Sequence, residues 1–283
     1  MTLPILSRRS FLAYSAVLPW ALSARGTSAI PVGLEIYSVR NELKKDPEGT
    51  VRAISEMGYQ GVEFYAPYFE WTEAQTKQMR KLLDELGMRC FSTHNDSSYL
   101  SQEKIGRARD MNLMLGSKYV VMAWSDPKPG LDGWKAIADS LNFAADQLES
   151  SGLKAGYHNH QTEWAKLDGE QRTMDVIAAN TPKEFVLQLD VGTCLEAGAD
   201  PVAWIRANPG RIRSLHLKDW SADSAKGYKV LFGEGAGDWK NIFDAAESTG
   251  GVEYYLMEQE GSRMTELDTA RQCLQSFRGI HPS

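Results

Sequence analysis

From residue 32 onward, short apolar runs alternate with longer stretches whose hydrophobic positions recur every three to four residues. The short runs predict strands over 32–37, 61–65, 89–93, 119–123, 154–158, 185–189, 212–217 and 254–257. Between them lie helical windows, among them 47–57 with Asp46 as cap and Pro47 at the first helical position, 73–86 ending at Gly87, and 134–150 before Gly152. Gly58, Gly87, Gly116 and Gly152 each end a helix ahead of the next strand. Eight strands, each followed by a helix at intervals of roughly 30 residues, predict an α/β fold, a single-domain (β/α)8 TIM barrel. A doubly wound sheet would have fewer strands, and no GxGxxG follows the first one.

The first 29 residues stand apart. Ser7-Arg8-Arg9-Ser10-Phe11-Leu12 precedes an apolar run that continues to Leu22, and Thr27-Ser28-Ala29 offers small residues for cleavage. The segment has no acid and no polar helical face. It is expected to be a twin-arginine export signal over 1–29, leaving the barrel in 30–283 and placing the protein in the periplasm or outside the cell. This route commonly carries proteins already folded around a metal or cofactor, which makes a metal site worth seeking.

Charge and composition narrow the partners. The 283 residues carry a net charge of −6, and loss of a leader containing three arginines and no acid makes the remainder more negative still. Such a surface argues against nucleic acid and against anionic lipid, so neither a nucleic-acid partner nor a membrane partner after signal cleavage is expected. The three cysteines show no CxxC spacing and imply neither a zinc knuckle nor a complete disulfide framework.

In a barrel, chemistry gathers at the C-terminal ends of the strands. Those ends carry Glu35 and Tyr37, Glu63, His94, Trp124, then Tyr157-His158-Asn159-His160, Asp190, His216 with Lys218-Asp219, and Glu258 with Gln259-Glu260. Four of the five histidines fall there. Imidazole and carboxylate converging from successive strands suit one divalent ion, Mn, Co, Zn or Mg. Asp190, His216 and Glu258 end the sixth, seventh and eighth strands, and a fourth ligand is expected from the fifth.

The segments GLEIYSVR, GVEF, YHNHQTEW, LDVGT, HLKD, GEGAGDW and YYLMEQE together resemble the sugar phosphate isomerase/epimerase family of xylose isomerase-like barrels, over about residues 32–278. The resemblance implies a TIM barrel with one divalent metal held by Asp190, His216 and Glu258. Many members place a glutamate where this chain has His158. Either Glu163 reaches back from the following loop as the fourth ligand, the expectation adopted here, or His158 itself ligates. A symmetrical exchange of protons between two glutamates is then in doubt.

A metal that chelates a carbonyl and an adjacent hydroxyl stabilises the enediolate left when the neighbouring proton departs. His158, His160 and Glu163 are the expected acids and bases, Glu258 serves as both ligand and catalytic group, and Lys218 polarises the carbonyl or pairs with Asp219 or another carboxylate. Isomerisation, epimerisation and elimination all follow from such a site. Tyr37, His94, Trp124, Trp164 and Trp220 are expected to bind substrate, since flat aromatic faces suit sugar C–H groups. Glu35 and Glu63 join them, with an internal salt bridge to Arg40 as their alternative. Trp71 and Trp239 fall in or near the same loops, whereas Trp134 and Trp204 read as packing. No phosphate loop is present, which points to an unphosphorylated keto-sugar or 3-keto-glycoside. Two other readings remain: a multi-zinc endonuclease-type barrel, opposed by the negative charge, and a periplasmic carbohydrate-binding barrel without catalysis.

Overall fold

A computed structural model describes residues 30–167, 169 and 171–281, so the expected export signal lies outside the described residues. Eight parallel strands close a barrel in sequence order. They are β1 (Val32–Glu35), β2 (Gly61–Phe64), β3 (Arg89–Asp96), β4 (Tyr119–Trp124), β5 (Lys154–His158), β6 (Val186–Asp190), β7 (Ser214–Leu217) and β8 (Tyr254–Met257). The expected barrel is the observed one, in a single domain.

The differences from expectation lie at strand ends. The first strand stops at Glu35, whose carboxylate accepts the Tyr37 N–H and starts a 3-10 turn over Ile36–Val39. The third runs on to Asp96, so His94 stands within a strand. The helix Pro47–Met57 has the expected cap, the Asp46 carboxylate accepting from the Gly49 N–H, and ends on Gly58 at φ 98, a left-handed conformation that glycine adopts without strain.

Two apolar layers hold the barrel. Outside, helices press residues such as Val51, Ile54, Leu82, Leu83, Leu141 and Leu148 onto the strands. Inside, Phe91, Tyr119, Val121, Val186, Tyr254 and Leu256 fill the lower interior. Gly33 and Gly61 are required by that filling, because a Cβ at either would lie 2.8 Å or less from the Phe91 ring. Above this apolar floor the register sets polar residues side by side: Glu35 beside Glu63, Glu63 beside Ser92, His158 beside Gln188, and Asp190 beside His216.

Candidate active site and metal centre

Four groups converge above the floor. His158, Asp190, His216 and Glu258 each offer one ligand atom, all within 4.8 Å of one another, and all four side chains are buried. They come from the ends of β5, β6 and β7 and the residue after β8, brought together by barrel closure. Asp190 Oδ1 accepts the Thr193 N–H at 2.9 Å, while Oδ2 is buried with no hydrogen-bond partner. That oxygen lies 3.9 Å from His158 Nε2 and 3.5 Å from Lys218 Nζ. An orphaned buried carboxylate oxygen facing imidazole nitrogen and a second carboxylate fits a divalent ion of zinc or manganese type.

Glu163 lies elsewhere. Its Oε1 accepts from Tyr157 Oη at 3.0 Å, and its Oε2 accepts from the His160 N–H at 2.9 Å and Thr162 Oγ1 at 3.0 Å. Both oxygens are engaged in closing the 3-10 turn Gln161–Trp164. The turn keeps Glu163 beside its own strand, and it has no place among the clustered ligand atoms.

A second polar layer backs the cluster. Glu63, fully buried, accepts from His216 Nε2 at 2.7 Å, Gln188 Nε2 at 2.8 Å and Ser92 Oγ, and its Oε1 lies 2.9 Å from His94 Nε2. Burial alone would raise the Glu63 pKa, but His94 and His216 hold it well below the usual carboxylate range. His216 lies between Glu63 and Glu258. Burial would lower its pKa, and these two carboxylates instead raise it well above the ordinary histidine value. His158 has no carboxylate at hydrogen-bond distance, and burial together with neighbouring His216 and His94 holds it well below 6.5. It is a neutral imidazole, the form that binds metal.

Glu35 and Glu63 form no salt bridge with Arg40, whose guanidinium donates to the Tyr37 carbonyl and sits 4.4 Å from the Tyr37 ring centroid. Glu35 Oε2 has no hydrogen-bond partner, and burial, then Glu63, push its pKa well up. Lys218 does not pair with Asp219. Its Nζ is 3.4 Å from Glu258 Oε1, hydrogen-bonds Glu260, and lies 4.6 Å from the Tyr228 ring centroid. Burial opposes the charge, but Glu258, Asp190 and Glu260 keep the Lys218 pKa well above its ordinary value.

The mouth is a cavity of about 370 Å³, whose walls include Glu35, Tyr37, Tyr65, His94, Trp124, His158, His160, Glu258 and Glu260. Its described lining contains neither lysine nor arginine.

A model of the xylose isomerase-like TIM barrel matches residues 51–279. The chain belongs to the xylose isomerase-like TIM barrel family. Curated relatives that bear the name inosose dehydratase include one from Clostridium beijerinckii and one from Geobacillus thermodenitrificans. The one from Clostridium beijerinckii is 29% identical over 143 residues, covering 45% of this chain and 47% of that one, so the chain spans about half its length in the match. The one from Geobacillus thermodenitrificans is 25% identical over 251 residues, covering 74% and 81%. Among solved structures, a sugar phosphate isomerase/epimerase from Parabacteroides distasonis superposes with a TM-score of 0.76 at 22% identity, covering 94% of this chain and 99% of the other. The IOLI protein, solved with a bound zinc atom, gives 0.70 at 15% identity, covering 88% and 97%.

Within this xylose isomerase-like barrel, the expected aromatic contacts divide. Trp124 is 64% exposed on the cavity rim, with its ring 6.5 Å from His160. Trp164 is a correction: it is buried against Trp204, with ring centroids 5.2 Å apart, and is outside the described cavity lining. Trp220 is half-buried and outside the described cavity lining. Trp239 is buried, its indole donating to Asp219.

The sequence pattern did not single out Gln188, Asn95, Asp96 or Tyr65, and it placed Glu260 at a strand end without a role. Gln188 had a signal: strand alternation puts it on the same face as Asp190, a polar residue in an otherwise apolar run before that aspartate. Glu260 was next to the ligand motif without being assigned. Tyr65, Asn95 and Asp96 reach the cavity because β2 and β3 extend toward its mouth, which residue type alone did not indicate.

Proposed function

We propose that this barrel is a divalent-metal-dependent lyase or isomerase that removes a proton next to the carbonyl of an unphosphorylated keto-sugar or 3-keto-glycoside. The observation that carries the reading is a cluster of four buried ligand atoms at the base of a cavity lined by acids, histidines and aromatic rings. His158, Asp190, His216 and Glu258 would hold the ion. A divalent ion there supplies a Lewis acid for the carbonyl, stabilising charge on its oxygen as the adjacent proton leaves.

The chain's own groups do the rest. Glu258 and His160 line the cavity and are the acid and base candidates. Lys218, held by three carboxylates and thereby cationic, favours negative charge developing beside it. Trp124 and Tyr37 offer faces to sugar C–H groups. Among the described residues the lining contains neither lysine nor arginine, and the adjacent Lys218 is already engaged by three carboxylates, which supports the unphosphorylated class.

Elimination is favoured over symmetrical epimerisation. Two-sided proton exchange needs matched bases on both faces of the substrate, and here the fifth-strand position holds a buried imidazole in place of a second glutamate. Relatives named as dehydratases point the same way, toward loss of water.

The test is incubation of the metal-loaded protein with keto-sugars and 3-keto-glycosides in heavy water. Deuterium entering next to the carbonyl, accompanied by loss of water or of the glycosidic group, is the expected result. Exchange confined to phosphorylated sugars would overturn the substrate class. Binding of metal and sugar with no exchange would identify a non-catalytic carbohydrate-binding barrel instead.

A further inference from the structure

We propose that Glu63 and Gln188 fix the two metal-binding histidines in opposite tautomers, so that His158 presents Nε2 and His216 presents Nδ1 to a divalent ion. The inference rests on the metal site proposed above and concerns two buried residues outside that four-ligand cluster and outside the described cavity lining.

The assignment follows from donor and acceptor counting. Glu63 Oε2 lies 2.8 Å from the Gln188 amide. A carboxylate accepts and does not donate, and the two oxygens of Glu63 already face His216, His94 and Ser92. The group 2.8 Å from Oε2 must therefore be the Gln188 NH2. The opposite amide orientation would set oxygen against oxygen in a buried site. Gln188 Oε1 is thereby directed at two imidazoles, His94 Nε2 at 2.7 Å and His158 Nδ1 at 3.0 Å. An amide oxygen only accepts, so His158 carries its proton on Nδ1, and its Nε2 lone pair is the one 3.9 Å from the orphaned Asp190 oxygen.

His216 is set by Glu63 directly. Its Nε2 donates to Glu63 Oε1 at 2.7 Å, while Nδ1 donates to Glu258 Oε2 and is the nitrogen that must release its proton to face an ion. One carboxylate thus orients both imidazoles, His216 in a single step and His158 through an amide. Glu63 and Gln188 are wholly buried and bonded on both sides, so neither can turn without breaking the other's bonds.

The amide is needed because residue 158 is a histidine. A free neutral imidazole side chain favours its proton on Nε2, the nitrogen that must be bare here. A carboxylate at that position has no tautomer and would need no such partner. Outer-sphere partners of metal-bound histidine typically contribute about 10- to 100-fold in metal affinity.

The experiment measures Zn²⁺ affinity of the metal-depleted full chain against a chromophoric chelator, for the unsubstituted protein, Gln188→Leu, His158→Glu and the double variant. Gln188→Leu should weaken Zn²⁺ about 10- to 100-fold when residue 158 is histidine and by much less when it is glutamate. Equal losses in the two backgrounds, or no loss in either, would overturn the proposal while leaving the metal site standing. Absence of Zn²⁺ binding by the unsubstituted protein would overturn the site and the proposal together. Nitrogen-15 histidine spectra of the Zn²⁺-loaded, unsubstituted chain give an answer even where a variant does not fold. One ligating histidine should keep its proton on Nδ1 and the other on Nε2, and two ligands of the same tautomer would refute the assignment.

Discussion

Trp239 donates its indole N–H to Asp219 Oδ2 at 2.9 Å and so completes a cage of five donors around one buried carboxylate. The other four are the backbone N–H groups of Trp220, Gly233, Gly235 and Gly237. The GEGAGDW segment is thus folded around an acid beside the site, and its glycines have a reason: a Cβ on Gly235 would lie 2.1 Å from Asp219 Oδ1. Asp219→Ala leaves these donors unsatisfied and should cost roughly 2–4 kcal/mol, on the order of 5–15 °C in melting temperature. Thermal unfolding of the metal-free protein checks it. A drop of under about 2 °C would mean that water replaces the carboxylate at little cost.

The fourth ligand can be tested with two substitutions. His158→Gln should reduce metal occupancy, because it removes one of four clustered ligand atoms. Glu163→Gln should leave occupancy unchanged and instead loosen the 3-10 turn over Gln161–Trp164, whose donors that carboxylate accepts. Metal analysis after exhaustive dialysis distinguishes them, and the reverse pattern would restore Glu163 as the ligand.

Strand ends were legible from sequence because an apolar run stops where the barrel opens: Asp190 and Glu258 directly follow such runs, and His216 interrupts one at its end. What lay one step away was harder to read. Glu163 sits five residues past His158, a distance over which an extended loop reaches the metal and a 3-10 turn does not, and the expectation of Glu163 as fourth ligand supposed the extended loop where the structure has the turn. Trp164 shares that turn and is buried against Trp204 instead of facing the cavity. Glu63 was identified as a site candidate but not as the hub of a network, because its partners His94, Gln188 and His216 come from three other strands.

Lys218 neutralises part of a dense anionic cluster. Its ammonium is paired with Asp190, Glu258 and Glu260, so Lys218→Met leaves buried carboxylates without a cation and should destabilise the metal-free protein by roughly 3–5 kcal/mol. A divalent ion that binds the folded state should recover much of that loss by mass action, and should bind more tightly once the competing charge is gone. Melting temperatures with chelator and with Mn²⁺ give the comparison. Equal losses under both conditions would show that the lysine and the metal site are energetically independent.

All three cysteines are free and buried. Burial pushes the thiols of Cys90 and Cys194 far up and that of Cys273 up to about 11. Thiolate is the reactive form, so alkylation of the native protein should stay slow at pH 8 and proceed at all three positions after denaturation. The same shift bears on stability. The unfolded Cys273 thiol ionises near its ordinary value of 9.0 while the folded one stays protonated to about 11, so stability should fall as pH rises through that window. Rapid labelling of the native protein at pH 8 would contradict the burial.

Arg8 and Arg9 stand before Ser10-Phe11-Leu12 and an apolar run, with Thr27-Ser28-Ala29 as the cleavage region, and the barrel begins immediately afterwards with β1 at Val32. Cleavage after Ala29 would leave that strand intact, its Val32 N–H still bonded to the Gln60 side chain at 3.0 Å. We propose twin-arginine export followed by that cleavage, which lets the metal site form in the cytoplasm before the protein crosses. Replacing both arginines with lysine should hold the precursor in the cytoplasm at its full length, while the protein that leaves the cell interior should begin near Ile30. Unchanged export of the double-lysine variant would sink the proposal. Export that continued while cleavage failed would keep the route and refute the processing site, and N-terminal sequencing of the exported protein separates the two.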